Sequence, residues 1–406
     1  MQHILIIVPG SLELYQKKAK SYFRPQEYLT IRTYFFHIMK KAEFNRGKIK
    51  KIILSDLGWD EYFESSFAPY KNNYIAGRVA CRQRTHYEVY IKGGYVRAGI
   101  SGALKKAGKS PAVGDFAVIL YQSETENYTI VNILPRKTEF SRGVSKNEGQ
   151  NQIIAANVDI VFIVTSAGKD LNPRRLERYL SLVYSSGAKP VIIINKSDLS
   201  KSPDELLEKI SSVCTDVSIL TISALNKTGI KQLDSYLKPG ITIALIGSSG
   251  VGKSTLINTL LKDYVQETCD VREYDEKGHH KTTVRQMFLL SGGGVVIDNP
   301  GLREVGIGTS GEGLSETFSD IKEFSQYCRF SDCRHKNEPG CAVIKAVSDG
   351  NISRERLETY LQLKSELRFE QEKSEIGLSR MEKKKWKSIN ATSRDIENIK
   401  KRMREL

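Results

Sequence analysis

Residues 241–263 read ITIALIGSSGVGKSTLINTLLKD, and this stretch decides the fold. The apolar run Ile241–Ile246 predicts a strand buried on both faces. The turn Gly247-Ser248-Ser249-Gly250-Val251-Gly252-Lys253-Ser254 fits G-x-x-x-x-G-K-[ST], and a helix-like segment follows it. Strand, glycine turn and helix in this order are the context of a phosphate-binding loop. Its glycines let backbone N–H groups close around phosphate oxygens at the positive end of a helix. Lys253 is expected to reach the β- and γ-phosphates, and Ser254 to ligate Mg²⁺.

Upstream, Asn195-Lys196-Ser197-Asp198 follows the apolar run VIII. An Asp carboxylate accepts two hydrogen bonds from the guanine edge that adenine cannot supply, and losing such a pair discriminates strongly. Asn195 is expected to steady the loop and the Lys196 stem to cover a base face. Ser223-Ala224-Leu225 closes the next strand-like run, VSILTI, where the Ala224 N–H is expected to meet the guanine carbonyl. Downstream, Asp298-Asn299-Pro300-Gly301 closes the run GVVI. Asp298 there is placed to hold Mg²⁺ through water, and Gly301 to donate its N–H to the γ-phosphate.

Between these lies Gly278-His279-His280-Lys281-Thr282-Thr283. One of Thr282 and Thr283 is expected to sense Mg²⁺ and the γ-phosphate and so order a switch loop. Ras-like enzymes orient the attacking water with a glutamine just after the D-x-x-G glycine; here that residue is Leu302. Another group or a partner must serve, and His280 is the candidate in cis. The base-reading motifs precede the phosphate loop and the metal Asp comes last, which is a circular permutation of the usual GTPase order. Asp198 argues against a P-loop kinase or ATPase.

Around this centre, the runs VDIVFIVTS, KPVIIIN, VSILTIS, ITIALIG and GVVID alternate with helix-like stretches such as NPRRLERYLSLVYSSG and SPDELLEKISSV. The alternation predicts an α/β domain with a mainly parallel sheet over 137–305. Over 51–136, IAGRVACR, HYEVYIK, YVRAGIS, DFAVIL and YTIVNIL predict a small β-barrel, of the oligonucleotide-binding (OB) type or SH3-like. Residues 306–370 read as helical, and 371–406 as a basic helical tail carrying Lys383, Lys384, Lys385 and Lys387. Residues 1–50 lack a clean period and read as a poorly ordered extension.

Within the helical part, Cys328-x4-Cys333-x-His335-x5-Cys341 supplies three thiolates and an imidazole, a closed tetrahedral set suited to one structural Zn²⁺. An iron–sulfur cluster fits less well, because histidine ligation is the exception there. The six cysteines form no even framework, so a reducing compartment is expected. The chain's 406 residues fit two or three domains, and its net charge of +15 favours a polyanionic partner. No apolar run approaches the ~20 residues that span a bilayer, and MQHILIIVPG has no positive n-region. A cytoplasmic protein with no membrane partner, acting as a monomer, is expected.

Together the motifs N-K-S-D, S-A-L, G-S-S-G-V-G-K-S-T, D-x-P-G and C-x4-C-x-H-x5-C resemble those of the ribosome small-subunit-dependent GTPase A family (RsgA, also called YjeQ). The resemblance runs from about residue 52 to 365. It implies an OB barrel, a circularly permuted GTPase domain and a C-terminal helical zinc domain. It implies a GTP hydrolase acting late in maturation of the small (30S) ribosomal subunit, stimulated by that subunit and touching ribosomal RNA through the OB and zinc domains. The carried-over guanine site is Asn195, Lys196, Ser197 and Asp198 with Ser223 and Ala224. The phosphate site is Gly247 to Thr255, and the zinc ligands are Cys328, Cys333, His335 and Cys341. Asn299 stands where the family has threonine, and Lys281 interrupts the family's H-T-T, so Thr282 and Thr283 stay alternatives. The termini have no clear counterpart.

Overall fold

A computed structural model describes residues 52–142, 152–167, 171–200, 207–208, 210–211, 214, 216–264, 286–290, 292–298 and 310–376. The N-terminal extension, the basic tail from residue 377 and most of SPDELLEKISSV lie outside these. Among the described residues no helix is long and apolar enough to cross a membrane.

Helix α1 (Glu61–Phe67) starts at Asp60, whose carboxylate accepts the Tyr62 N–H at 3.1 Å, the usual way to satisfy a free donor at a helix start. The helix lays Phe63 and Phe67, with Trp59, against Phe116. Strands β1 (Ile75–Arg82), β2 (Tyr87–Ile91) and β3 (Gly94–Ile100) form a meander. The short helix α2 (Gly102–Lys106), capped by Ser101, leads on to β4 (Phe116–Gln122) and β5 (Asn127–Ile133). The hydrogen-bonded order is β1-β2-β3-β5-β4, and β4 pairs back with β1, so the five strands close. Every second residue faces inward: Val79, Val89, Ala98, Ala117, Ile119 and Ile130 are all buried in one cluster, as strand periodicity requires. This closure, with β3 and β5 parallel, is an OB-type barrel.

A hairpin of β6 (Glu139–Arg142) and β7 (Gln152–Ala156) links the barrel to the central sheet. That sheet contains β8 (Ile160–Ser166), β9 (Lys189–Asn195), β10 (Ser218–Thr221), β11 (Thr242–Ile246), β12 (Gln286–Leu289) and β13 (Val295–Asp298). Their order is β10-β9-β8-β11-β13-β12, parallel except for β12. Parallel strands covered on both faces need continuous apolar runs, and Ile192, Ile193, Ile243, Ala244, Val295 and Val296 are all fully buried. Strand β12 also pairs with β1, at Cys81 opposite Gln286, so the barrel and the parallel strands share one continuous sheet.

The junction is held by Arg78 on β1, which is 1% exposed. Its Nε donates to the Gly114 carbonyl at 3.0 Å and its Nη2 to the Asn157 carbonyl at 2.7 Å. Its Nη1 donates to Thr242 Oγ1 at 2.7 Å and to the Leu57 carbonyl. Barrel, hairpin and β11 therefore meet on one guanidinium, which also lies 4.9 Å from the Phe116 ring centroid. Burial pushes its pKa down to about 10, opposed by Asp159 and Asp115, so it stays charged at neutral pH. Gly114 completes the corner. Its φ is +92° and a Cβ would lie 2.0 Å from the Ala156 carbonyl oxygen, so only glycine fits.

On the sheet lies α3 (Pro173–Ser186). Asn172 caps it by accepting the Arg175 N–H at 3.2 Å, Pro173 takes the first position, and Gly187 ends it at φ +83°. Helix α4 (Lys253–Tyr264) follows β11. The C-terminal part comprises α5 (Gly311–Thr317), α6 (Ser319–Ser325), α7 (Ala342–Ser348) and α8 (Arg354–Ile376) around Leu314, Phe318, Ile321, Val343, Ala346, Ile352 and Leu363. It sits on α3. A Cβ at Gly313 would meet Ser185 Oγ at 2.0 Å, and buried Arg356 bridges Glu177 and Asp320, both at 2.7 Å.

Replacing Arg78 by Met keeps volume but strips the guanidinium donors from the Leu57 and Asn157 carbonyls, while the Gly114 carbonyl keeps the Asn157 Nδ2 donor at 3.1 Å. At ~1–3 kcal/mol for each buried polar group left unpaired, Arg78→Met is expected to destabilise by ~2–6 kcal/mol, measured by urea unfolding. A shift under ~1 kcal/mol would show that water replaces the guanidinium at no cost.

Candidate nucleotide site and metal cluster

Parallel strands send their connecting loops out at the carboxyl edge, where a switch in strand order opens a crevice. Here β8, β9, β11 and β13 deliver Ser166, Asn195, Gly247 and Asp298 to that edge. The phosphate loop turns away from β11 at Gly247, with φ +142°, where a Cβ would lie 2.1 Å from the Val164 carbonyl oxygen. Gly252, at φ +92°, leaves room for Asn195, whose Nδ2 would be 2.3 Å from a Cβ there. Both glycines are required by close approach of the neighbouring strands. The ammonium of Lys253, 5% exposed, donates to the carbonyls of Gly247, at 2.6 Å, and Ser248. Ser249, Gly250 and Thr255 are exposed, Val251 is buried, and Ser254 is partly buried.

Asn195 joins the motifs. Its Nδ2 donates to the Val251 carbonyl at 2.9 Å, and its Oδ1 accepts the Ala224 N–H at 3.0 Å. One buried amide thus ties the end of β9 to the phosphate loop and to the Ser223-Ala224-Leu225 turn. Ser223 Oγ donates to Asp198 Oδ1 at 2.5 Å and accepts the Asn226 N–H at 3.2 Å, which orients the exposed Asp198 carboxylate. Lys196 stands at φ +61°, a left-handed kink that turns the chain out of β9. Thr259 on α4 donates to the Ala224 carbonyl at 3.1 Å.

The sequence reading gave the Ala224 N–H to the guanine carbonyl. In the structure that N–H donates to the buried Asn195 Oδ1 at 3.0 Å. Two further contacts have no motif to announce them: Thr259 under the Ala224 turn, and Arg175 of α3, which donates to Ser248 Oγ. Asp298 ends β13 and is partly buried. His280, Thr282, Thr283 and Gly301, like Leu302, lie outside the described residues.

The second cluster lies between α6 and α7. The ligand atoms of Cys328, Cys333, His335 and Cys341 all lie within 4.8 Å of one another. Cys328 Sγ is 3.9 Å from Cys341 Sγ, and His335 Nδ1 is 3.7 Å from Cys328 Sγ and 3.5 Å from Cys341 Sγ. A tetrahedral ion with Zn–S of about 2.3 Å and Zn–N of about 2.0 Å would set S···S near ~3.8 Å and S···N near ~3.5 Å. Cys328, Cys341 and His335 thus stand at tetrahedral spacing, and Cys333 lies close enough to complete a set that could hold a metal ion. His335 is held at φ +57°, a left-handed conformation uncommon outside glycine, and Cys341 also starts α7, its sulfur accepting the Ile344 N–H at 3.5 Å.

The comparisons agree with this geometry. The family model described as RsgA GTPase matches residues 133–308. A relative from Methanosarcina acetivorans, named small ribosomal subunit biogenesis GTPase RsgA, is 57% identical, over 82% of this chain and 90% of its own length. One from Listeria innocua, named small ribosomal subunit biogenesis GTPase RsgA 1, is 39% identical over 84% of this chain and 97% of its own. Among solved structures, YjeQ from Thermotoga maritima aligns with TM-score 0.56 and 27% identity, covering 72% of this chain and 98% of that one. YloQ, described as a circularly permuted GTPase, aligns with TM-score 0.55 and 24% identity over 74% and 96%. The chain belongs to the RsgA family of circularly permuted GTPases.

Proposed function

We propose that this GTPase binds GTP with Mg²⁺, hydrolyses it to GDP and phosphate, and serves as a late maturation factor of the small (30S) ribosomal subunit, which stimulates it. The observation that carries the reading is the Asn195 amide joining a guanine-reading turn to a phosphate loop in permuted order. The relatives' names supply the ribosomal part.

In this reading Asp198, oriented by Ser223, accepts the two donors of the guanine edge, while the Lys196 stem covers a base face. Asn195 and Ala224 hold the turn, with Ser197 at its rim. The backbone N–H groups of Gly247 to Thr255 cradle the phosphates. Lys253 leaves the loop carbonyls for the β- and γ-oxygens. Ser254 and Asp298 are the groups that would hold Mg²⁺, the latter through water; bound there, the ion spreads the charge that develops on the transferred phosphoryl group. Gly301 donates to the γ-phosphate, and Thr282 or Thr283 senses it. Since Leu302 cannot orient water, His280 or a group from the subunit does so. Cys328, Cys333, His335 and Cys341 hold one structural Zn²⁺, closed to substrate.

Ribosomal RNA is the proposed polyanion matching the charge of +15. The barrel offers the paired rings of Tyr121 and Tyr128, 4.8 Å apart, and the exposed Tyr95. The metal loop offers exposed Tyr327 and Phe330, with Arg329 over the Phe330 ring. Stacking of bases on such rings is sequence-tolerant. The protein is proposed to act as a cytoplasmic monomer. The proposed divisions are 51–136, 137–305, 306–370 and the tail 371–406, whose first residues continue α8.

GTP hydrolysis is expected to rise at least ~10-fold with small ribosomal subunits and not with large ones, equal to lowering the barrier by ~1.4 kcal/mol. No stimulation would sink the ribosomal assignment. Asp198→Asn should cut guanine nucleotide affinity about 100-fold and gain xanthine nucleotides, whose 2-oxo group matches the amide. Unchanged competition by GTP and XTP would place the base elsewhere. Metal analysis of purified chain should find one zinc. Cys341→Ser should lose it and lower the unfolding temperature, since binding energy of such an ion is folding energy. Zinc retained in full by that variant would remove Cys341 from the ligand set.

A further inference from the structure

Three arginines stand in the opening turns of α3: Arg174, Arg175 and Arg178. The start of a helix is the positive end of its dipole, where cations are unfavourable, and the first turn of α3 carries no acidic residue. Local helix physics therefore does not explain them. Longer-range contacts do. Arg174 pairs with Glu358 and Arg178 with Glu366, both at 2.9 Å and both on α8. Between them in the chain, buried Glu177 takes Arg356 at 2.7 Å. The C-terminal part thus grips α3 by three ion pairs within two turns, and Gly313 seats α5 directly on its far end.

Arg175 points to the nucleotide site. Its Nη1 donates to Ser248 Oγ, in the second residue of the phosphate loop. The Ser248 carbonyl is meanwhile taken by Lys253. Ser248 is therefore held from two sides, by the loop's own lysine and by an arginine from a different helix. The loop has reason to need this. Gly247, Gly250 and Gly252 all have positive φ, and a glycine-rich loop loses much conformational freedom whenever it is fixed. A prop anchored on a gripped helix removes part of that freedom before the nucleotide arrives, which raises affinity.

We propose that Arg175 is a positioning residue of the phosphate loop, fixing it from a helix that the C-terminal part holds in place. The proposal rests on the nucleotide site argued above. It is tested in the full chain with Arg175→Ala, Ser248→Ala, the double variant and Arg175→Lys. The readouts are affinity for fluorescently labelled GDP and a non-hydrolysable GTP analogue, kcat and KM for GTP, and unfolding temperature. A hydrogen bond to a charged group predicts about a 10-fold loss. Arg175→Ala should weaken both nucleotides about equally, raise KM similarly and change kcat less than ~2-fold, because the loop grips phosphates common to both. Ser248→Ala should match it, the double variant should lose nothing more, and Arg175→Lys should recover part, all with unchanged unfolding temperature. Wild-type affinity in Arg175→Ala, or losses that multiply in the double variant, would overturn the proposal. So would affinity that falls only together with the unfolding temperature. If the unmodified chain bound no guanine nucleotide, the failure would instead be that of the site itself.

Discussion

Parallel pairing of β11 with β8 on one side and β13 on the other is the constraint from which the nucleotide site follows. Parallel strands release their loops at one edge, whatever order the chain visits them in. The motifs can therefore be permuted along the sequence and still meet. What the sheet leaves approximate, Asn195 makes definite. Its amide has one donor and one acceptor committed to two different loops, and neither can shift without leaving a buried polar group unpaired.

Two buried arginines join the remaining parts, and they solve the same problem differently. Arg78 keeps its charge among neutral carbonyls and a threonine hydroxyl, with Asp159 and Asp115 acting at longer range. Arg356 is met by two carboxylates, those of Glu177 and Asp320. The first arrangement spreads one cation over several chain segments and so fixes geometry at a three-way junction. The second concentrates attraction between two surfaces that must stay together. Neither is a large source of stability, since desolvation offsets much of the gain, but each makes wrong packing costly.

How much of this could be read from sequence depended on range. The phosphate loop, the Asn195-Lys196-Ser197-Asp198 turn and the four residues that could hold a metal ion are local patterns, recognisable by their spacing. The five barrel strands were legible as β-rich runs separated by turn signals such as Gly93-Gly94 and Pro111. The contacts between elements were not. Arg175 lies 73 residues from Ser248, and Arg356 lies 179 from Glu177. No periodicity encodes such partners. The barrel type stayed open between two families until β4 was seen to return to β1. The run of arginines at the start of α3 is a local departure from helix preference, and its partners lie on α8 and the phosphate loop.

Strand β12 has a consequence for how such a chain can be divided. It is held by β13 on one side and by β1 of the barrel on the other. Cutting the chain between barrel and sheet would therefore not yield two closed pieces. It would break the pairing of Cys81 with Gln286, freeing backbone groups at that end of β12, and would strip the donor that Arg78 supplies to Thr242. The barrel is in this sense a cap on one end of an outer strand. A shortened relative lacking it would need another cap at that end of β12 and another donor for Thr242.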